Sequence, residues 1–293
     1  HHPNAYCMGS GMAVSKSFVI WAERYLQNKH FGKHQECNTR CLIDKVTRFE
    51  DEHKHPMNID SMTADDLRVF ADFLSSDYDI SMNTIVTNMT LMRTVCNWVR
   101  KQGVTNNDPF FGYDMPKALY GTPYFLTIQE RDQVLDADLT DDAELAEYRD
   151  MFVFQCMVGC RHSDLVTFTP KNIIDGVLEY IPIKTKGKLG DVVRVPLIPK
   201  AMAILDGHDH GDDEPIFPKH YNFKFNDAIR RILKRAKVNR VVTVINPKTR
   251  LEEKKPISDV ATSHLARRTF IGNLYRMVKD PDLVASMSGH AKG

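Results

Sequence analysis

Nowhere in the 293 residues does an apolar run approach the roughly 20 that a membrane-spanning helix requires, so no such helix is expected. Cysteine is scarce. There are six in the whole chain, one of them within residues 1–12, which is no disulfide framework and fits a reducing cytoplasm. No secretory signal is visible. Neither a glycine-rich phosphate loop nor the nucleophile elbow of serine hydrolases occurs, which argues against nucleotide hydrolysis and serine-based acyl transfer. Internal repeats and low-complexity tracts are also missing. Residues 1–12, HHPNAYCMGSGM, read as the remnant of an affinity tag and a cloning scar and are set aside.

What is present is a globular composition, 42% apolar and 26% charged, in a chain long enough for two domains. The formal charge of +1 hides an asymmetry. Residues 1–119 carry 13 Lys and Arg against 14 Asp and Glu, a net of −1. Residues 120–150 carry 2 against 9, a net of −7, and residues 151–293 carry 24 against 15, a net of +9. A basic second half points to a polyanionic partner.

The first hundred residues read as four amphipathic helices. Phe18, Trp21, Tyr25 and Leu26 stripe the first, and Cys41, Leu42, Val46 and Phe49 the second. Thr63 with Asp66 forms an acidic capping box for the third, and Ser81 opens a longer fourth. This helical domain, residues 13–104, offers Arg40, Lys45, Arg93, Arg100 and Lys101 to a polyanion. Residues 105–125, dense in Gly, Pro and Asn and without period, read as a linker. Thr127 and Glu130 then open a second domain, 126–293. There an apolar helix breaks at Gly159, and strand-like stretches 177–183 and 191–197 are expected to pair as a hairpin around the lysine-rich KTKGKLG. A basic helix spans about 221–237 and includes Arg230, and a small β element is expected around Asn246-Pro247.

The chemistry concentrates in TSHLARRTFIGNLYRMVKDPDLVASMSGH, residues 262–290. Thr262 or Ser263 can cap a helix that presents His264 and Arg267 one turn apart. Asp280-Pro281 opens a further helix that delivers Gly289-His290. Arginine offers a planar fork of donors and histidine exchanges protons near neutrality, a combination suited to a phosphate.

Taken in order, the Gly159-Cys-Arg161-His-Ser-Asp164-Leu165 string, Lys184, His264-x-x-Arg267 and Gly289-His290, behind a small helical domain, resemble the tyrosine recombinases of the phage-integrase family. The resemblance implies a mainly α fold with a small antiparallel β-sheet: a helical SAM-like core-binding domain followed by an integrase-type α+β catalytic domain. It implies a site-specific recombinase of a bacterial mobile element, cutting and rejoining double-stranded DNA through a 3′-phosphotyrosyl link, without metal or other cofactor. Arg161 and Arg267 would grip the phosphate, His264 and His290 position it and handle protons, and Lys184 protonate the departing oxygen. Asp164 would orient Arg161 through a buried hydrogen bond. The family works as homotetramers on paired sites, the C-terminal tail often docking on a neighbour; lacking that tail, the chain is expected to be a monomer without DNA, with accessory DNA-bending proteins as further partners and a cytoplasmic, nucleoid-associated location.

Three features depart from the family pattern. The nucleophilic tyrosine belongs roughly nine or ten residues beyond Gly289-His290, whereas the sequence ends at Gly293, so the chain as given is expected to bind DNA without cleaving it. Tyr275 lies in the wrong place for that role. Lys186 competes with Lys184 for the general acid, and Ser288 replaces a leucine common before Gly-His. A zinc site from His30, His34, Cys37 and Cys41 is disfavoured, because four ligands on one helix cannot surround a metal tetrahedrally. Two alternatives stand beside the recombinase: a non-catalytic sequence-specific DNA-binding protein on the same fold, and a type IB topoisomerase-like enzyme.

Overall fold

The computed structural model describes residues 16–28, 31–185, 192–208 and 211–290, apart from the side chain of Thr185. Residues 1–12, His30, Lys186 and Lys188 lie outside the described residues. The chain divides into two compact units, one running to Tyr120 and including Ile245–Leu251, the other comprising Gly121–Val244 and Glu252–Gly293.

The first unit is four helices, α1 (Phe18–Gln27), α2 (Lys33–His53), α3 (Ala64–Ser76) and α4 (Met82–Lys101). Local chemistry sets their ends. Gly32 stands at the N-cap of α2, and Thr63 and Asp66 form the reciprocal capping box of α3. The Ser81 hydroxyl accepts the Thr84 N–H at the start of α4. Phe18, Tyr25, Phe49, Phe70 and Leu42 are fully buried in one core, each worth roughly 1.5–3 kcal/mol of transfer free energy. Within residues 105–125, Phe110 is buried in this same core.

The second unit contains α5 (Ile128–Leu135), α6 (Ala143–Val158), α7 (His162–Leu165), strands β1 (Ile173–Ile174), β2 (Val177–Tyr180) and β3 (Val193–Pro196), and α8 (Pro199–Asp206). They are followed by α9 (Asn222–Arg235), β4 (Val241–Ile245), β5 (Glu252–Pro256), α10 (Ile257–Val260), α11 (Ser263–Val278) and α12 (Pro281–Ser288). Every residue of α6 from Met151 to Val158 is buried, so the C-terminal half of this helix has no solvent face and forms the axis of the unit. α11 packs along it.

The sheet has the order β1-β2-β3, all antiparallel, with Leu178 opposite Val195 and Tyr180 opposite Val193. Its paired strands are shorter than the stretches 177–183 and 191–197. Pro182 has no N–H for a ladder, and β2 ends before it. Lys184 therefore sits not on a strand but in a single 3₁₀ turn, Ile183–Thr185.

Candidate active site

Three helix ends meet. α6 stops at Gly159, whose φ of 69° is left-handed; a Cβ there would lie 2.2 Å from the Phe270 ring, so only glycine fits. The chain turns through Cys160 and places Arg161 at the N-cap position of α7. α11 presents His264 in its first turn and Arg267 one turn later. α12, capped by the Asp280 carboxylate, ends at Gly289 (φ 67°) and leads to His290.

The start of α11 corrects one expectation. Neither the Thr262 nor the Ser263 hydroxyl caps it; the Ser263 N–H is instead received by Asn226 Oδ1, 2.8 Å away on α9. A cap contributed 37 residues away in sequence cannot be read from the local string.

Arg267 is 6% exposed and anchored, its Nη1 donating to the Gly159 carbonyl at 2.7 Å. Its Nη2 lies 3.2 Å from both ring nitrogens of His290. Arg161 contrasts with it, for its buried Nη1 has no hydrogen-bond partner. Arg161, Arg267, His264, His162, Gln155 and Asn222 line one cavity of about 310 Å³.

Asp164 also behaves differently from expectation. It is buried, but Oδ1 accepts the Ile183 N–H at 2.9 Å and Oδ2 has no partner, so the expected bond to Arg161 is not formed. A backbone N–H donating to a buried carboxylate makes a strong charge-assisted bond. Asp164 thus ties down the turn that carries Lys184.

The electrostatics follow from this crowding. Burial, then the charges of Arg268, Arg267, Arg161 and Lys184, hold the His264 imidazole below its usual value, which places Lys184 in the electrostatic neighbourhood of the site. Burial, then Arg267 and Arg161, does the same to His290. His162, stacked on Phe225, is lowered by burial and then by His220. Even the Arg267 guanidinium is lowered, by burial and by Arg161. Cations forced together around a cavity are relieved by an anion.

Neither Tyr275 nor Tyr180 is placed as a nucleophile. Tyr275 is exposed on α11, eleven residues or about 16 Å along the helix from His264. Tyr180 is buried on β2, and burial pushes its phenol far up.

Five residues expected to meet a polyanion lie in the first unit. Arg40 pairs with Glu36 at 2.8 Å, Lys45 donates to Asn88 at 3.1 Å and Arg100 pairs with Asp108 at 2.7 Å. Arg93 lies over the Phe110 ring, and Lys101 is exposed at the end of α4.

Cations of the basic helix α9 have acidic partners. Arg230 pairs with Asp227 at 3.3 Å, Arg231 with Asp142 at 2.8 Å, Lys234 with Asp259 at 2.8 Å and Arg235 with Asp141 at 2.6 Å. Asp141 and Asp142 of the acidic stretch 120–150 thus answer the basic α9 within one unit, and the charge of α9 is not by itself evidence for a polyanion. Among the described residues no group of three or more His, Cys, Asp or Glu is arranged to hold a metal ion. No helix among them is long and apolar enough to cross a membrane.

Comparison with known proteins bears on both units. Residues 17–115 match the phage integrase SAM-like domain family. The chain superposes on the Tn1549 transposon integrase in complex with a circular-intermediate DNA with a TM-score of 0.73 and 16% identity, covering 95% of this chain and 93% of that one. A lambda integrase dimer bound to a core site gives 0.68 and 13%, covering 93% and 91%. A lambda integrase tetramer bound to a Holliday junction gives 0.65 and 14%, covering 95% and 76%. No curated protein sequence matches.

Proposed function

We propose that this chain, which carries a phage-integrase SAM-like domain and has the fold of the tyrosine recombinases, is a site-specific DNA recombinase acting through a 3′-phosphotyrosyl intermediate. The observation that carries the reading is the buried Arg161 Nη1 left without a hydrogen-bond partner, on a residue that lines a cavity together with Arg267 and His264.

A scissile phosphate in that cavity receives donors from both guanidiniums on its non-bridging oxygens, where charge grows in the transition state. A tyrosine beyond Gly293 supplies the nucleophile. Its phenolic oxygen bonds to phosphorus while the bond from phosphorus to the 5′-oxygen breaks. His264, held neutral by its surroundings, accepts the phenolic proton, and Lys184 gives a proton to the leaving oxygen. The phosphodiester energy is kept in the new ester, so no nucleotide is consumed. Asp164 acts on this chemistry indirectly, by holding the Lys184 turn.

The matched integrases were solved on DNA, one as a dimer and one as a tetramer, which supports duplex DNA as the partner and paired sites as the assembly. The two-unit division, with residues 13–104 as core-binding domain and 126–293 as catalytic domain, belongs to the same proposal.

The test restores the native C-terminus from the gene and offers a nicked suicide duplex carrying the element's end. A covalent protein–DNA band on a denaturing gel, lost in Arg161→Ala and in the 293-residue chain, is the expected result. Tight, salt-sensitive binding without any band would point to a binding protein on the same fold.

A further inference from the structure

Ser288 is the last residue of α12 and is fully buried. Its Oγ lies 2.6 Å from the Val284 carbonyl oxygen, 3.3 Å from that of Ala285 and 2.7 Å from Nδ1 of His290. Carbonyl oxygens have no hydrogen to give, so the single hydroxyl hydrogen goes to the carbonyls. What the hydroxyl then turns toward Nδ1 is a lone pair, and the 2.7 Å contact is bonding only if Nδ1 carries the proton.

The other side of the ring completes the assignment. Arg267 Nη2, at 3.2 Å from both ring nitrogens, can only donate. With Nδ1 already protonated, Nε2 must receive that donation through its lone pair. A second ring proton would set N–H against N–H beside two guanidiniums. The charged groups acting on the ring are Arg267 of α11 and Arg161 ahead of α7, and both oppose that proton.

We propose that Ser288 is a positioning residue that fixes His290 as the neutral Nδ1–H tautomer, making His290 an acceptor that steadies Arg267 rather than a proton donor to the phosphate. A leucine at position 288 has no hydroxyl with which to make this choice. A free histidine side chain in water favours the opposite, Nε2–H form, so a tautomer imposed by the fold is a measurable quantity. The catalytic consequence rests on the recombinase reading; the tautomer does not.

Nitrogen-15 NMR of the 293-residue chain above neutral pH, with the His290 signals assigned by their loss in His290→Gln, tests the assignment. Wild type is expected to show a protonated Nδ1 and a bare Nε2, Ser288→Ala to move toward the Nε2–H form, and Ser288→Thr to keep the wild-type pattern. A wild-type Nε2–H signature, or an unchanged pattern in Ser288→Ala, overturns the proposal. Should Ser288→Ala fail to fold, the wild-type and Ser288→Thr spectra still decide it.

With the native C-terminus, Ser288→Ala should slow covalent-complex formation about ten- to a hundredfold at unchanged DNA affinity, restored by Ser288→Thr. A shifted tautomer with an unaltered rate overturns the positioning role. The expected spectra with no covalent complex from any chain leave the tautomer assignment standing and overturn the recombinase reading instead.

Discussion

At the scale of single residues, the site is a set of cations and neutral imidazoles gathered around a cavity, and its variants are predictable from that. Arg161→Ala removes an anion donor that no other protein group uses. Loss of a preorganised donor of this kind costs about 3–4 kcal/mol of barrier, so covalent-complex formation should fall by about a hundred- to a thousandfold while duplex binding in a gel-shift assay stays nearly intact. The three lowered imidazoles, His162, His264 and His290, give a signed pH dependence. Below the ordinary value of 6.5 the unfolded chain binds protons that the folded chain refuses. Their contribution to stability is therefore complete above that pH and is lost as pH falls from it toward the lowered folded values. The urea midpoint should drop between about pH 7 and pH 5.5, and His264→Gln should flatten the drop.

Among the elements, the helix ends matter more than the helices. Gly159 has the left-handed backbone of a helix terminator and the Phe270 ring against its α-carbon. Gly159→Ala pays the backbone strain of about 1–2 kcal/mol and must also displace the ring, which shifts Arg161 and the carbonyl that anchors Arg267. Both a lower denaturation midpoint and lost cleavage are expected. Asn226 is the external cap of α11, the helix that carries His264 and Arg267. Asn226→Ala should cost about 1 kcal/mol in equilibrium unfolding, in line with other lost caps, and slow cleavage without changing its pH optimum. The Lys184 turn is held by the Asp164 carboxylate, which accepts the Ile183 N–H.

For the whole molecule, the question is which charges a polyanion meets. The pairs that α9 makes with Asp141 and Asp142 are exposed and already satisfied. Replacing one such pair on both sides, Arg235→Gln with Asp141→Asn, should leave the slope of log affinity against log salt for duplex DNA unchanged. Lys101→Ala, at an exposed lysine ending α4, should lower that slope by about one. Net charge by segment could not distinguish these two cations, because it records how many charges there are and not which face each other.

Sequence determined whatever is local or periodic. The four helices of the first unit follow from their apolar stripes. The capping boxes at Thr63 and Thr127 and the helix stops at Gly159 and Gly289 follow from residues at most three positions apart or from a backbone only glycine adopts freely. The members of the candidate site could also be named, since a guanidinium and an imidazole one turn apart announce a chemistry. Only the tertiary structure decided how those members are held. Asn226 caps a helix from 37 residues away, Asp164 reaches Ile183 across 19, and Arg267 is anchored by the Gly159 carbonyl 108 positions earlier. The acidic stretch answers α9 across about 90, and the tautomer of His290 depends on Ser288 and Arg267 together. Propensity and spacing act over one or two turns, whereas hydrogen bonds and ion pairs join whatever the packed core brings within about 3 Å.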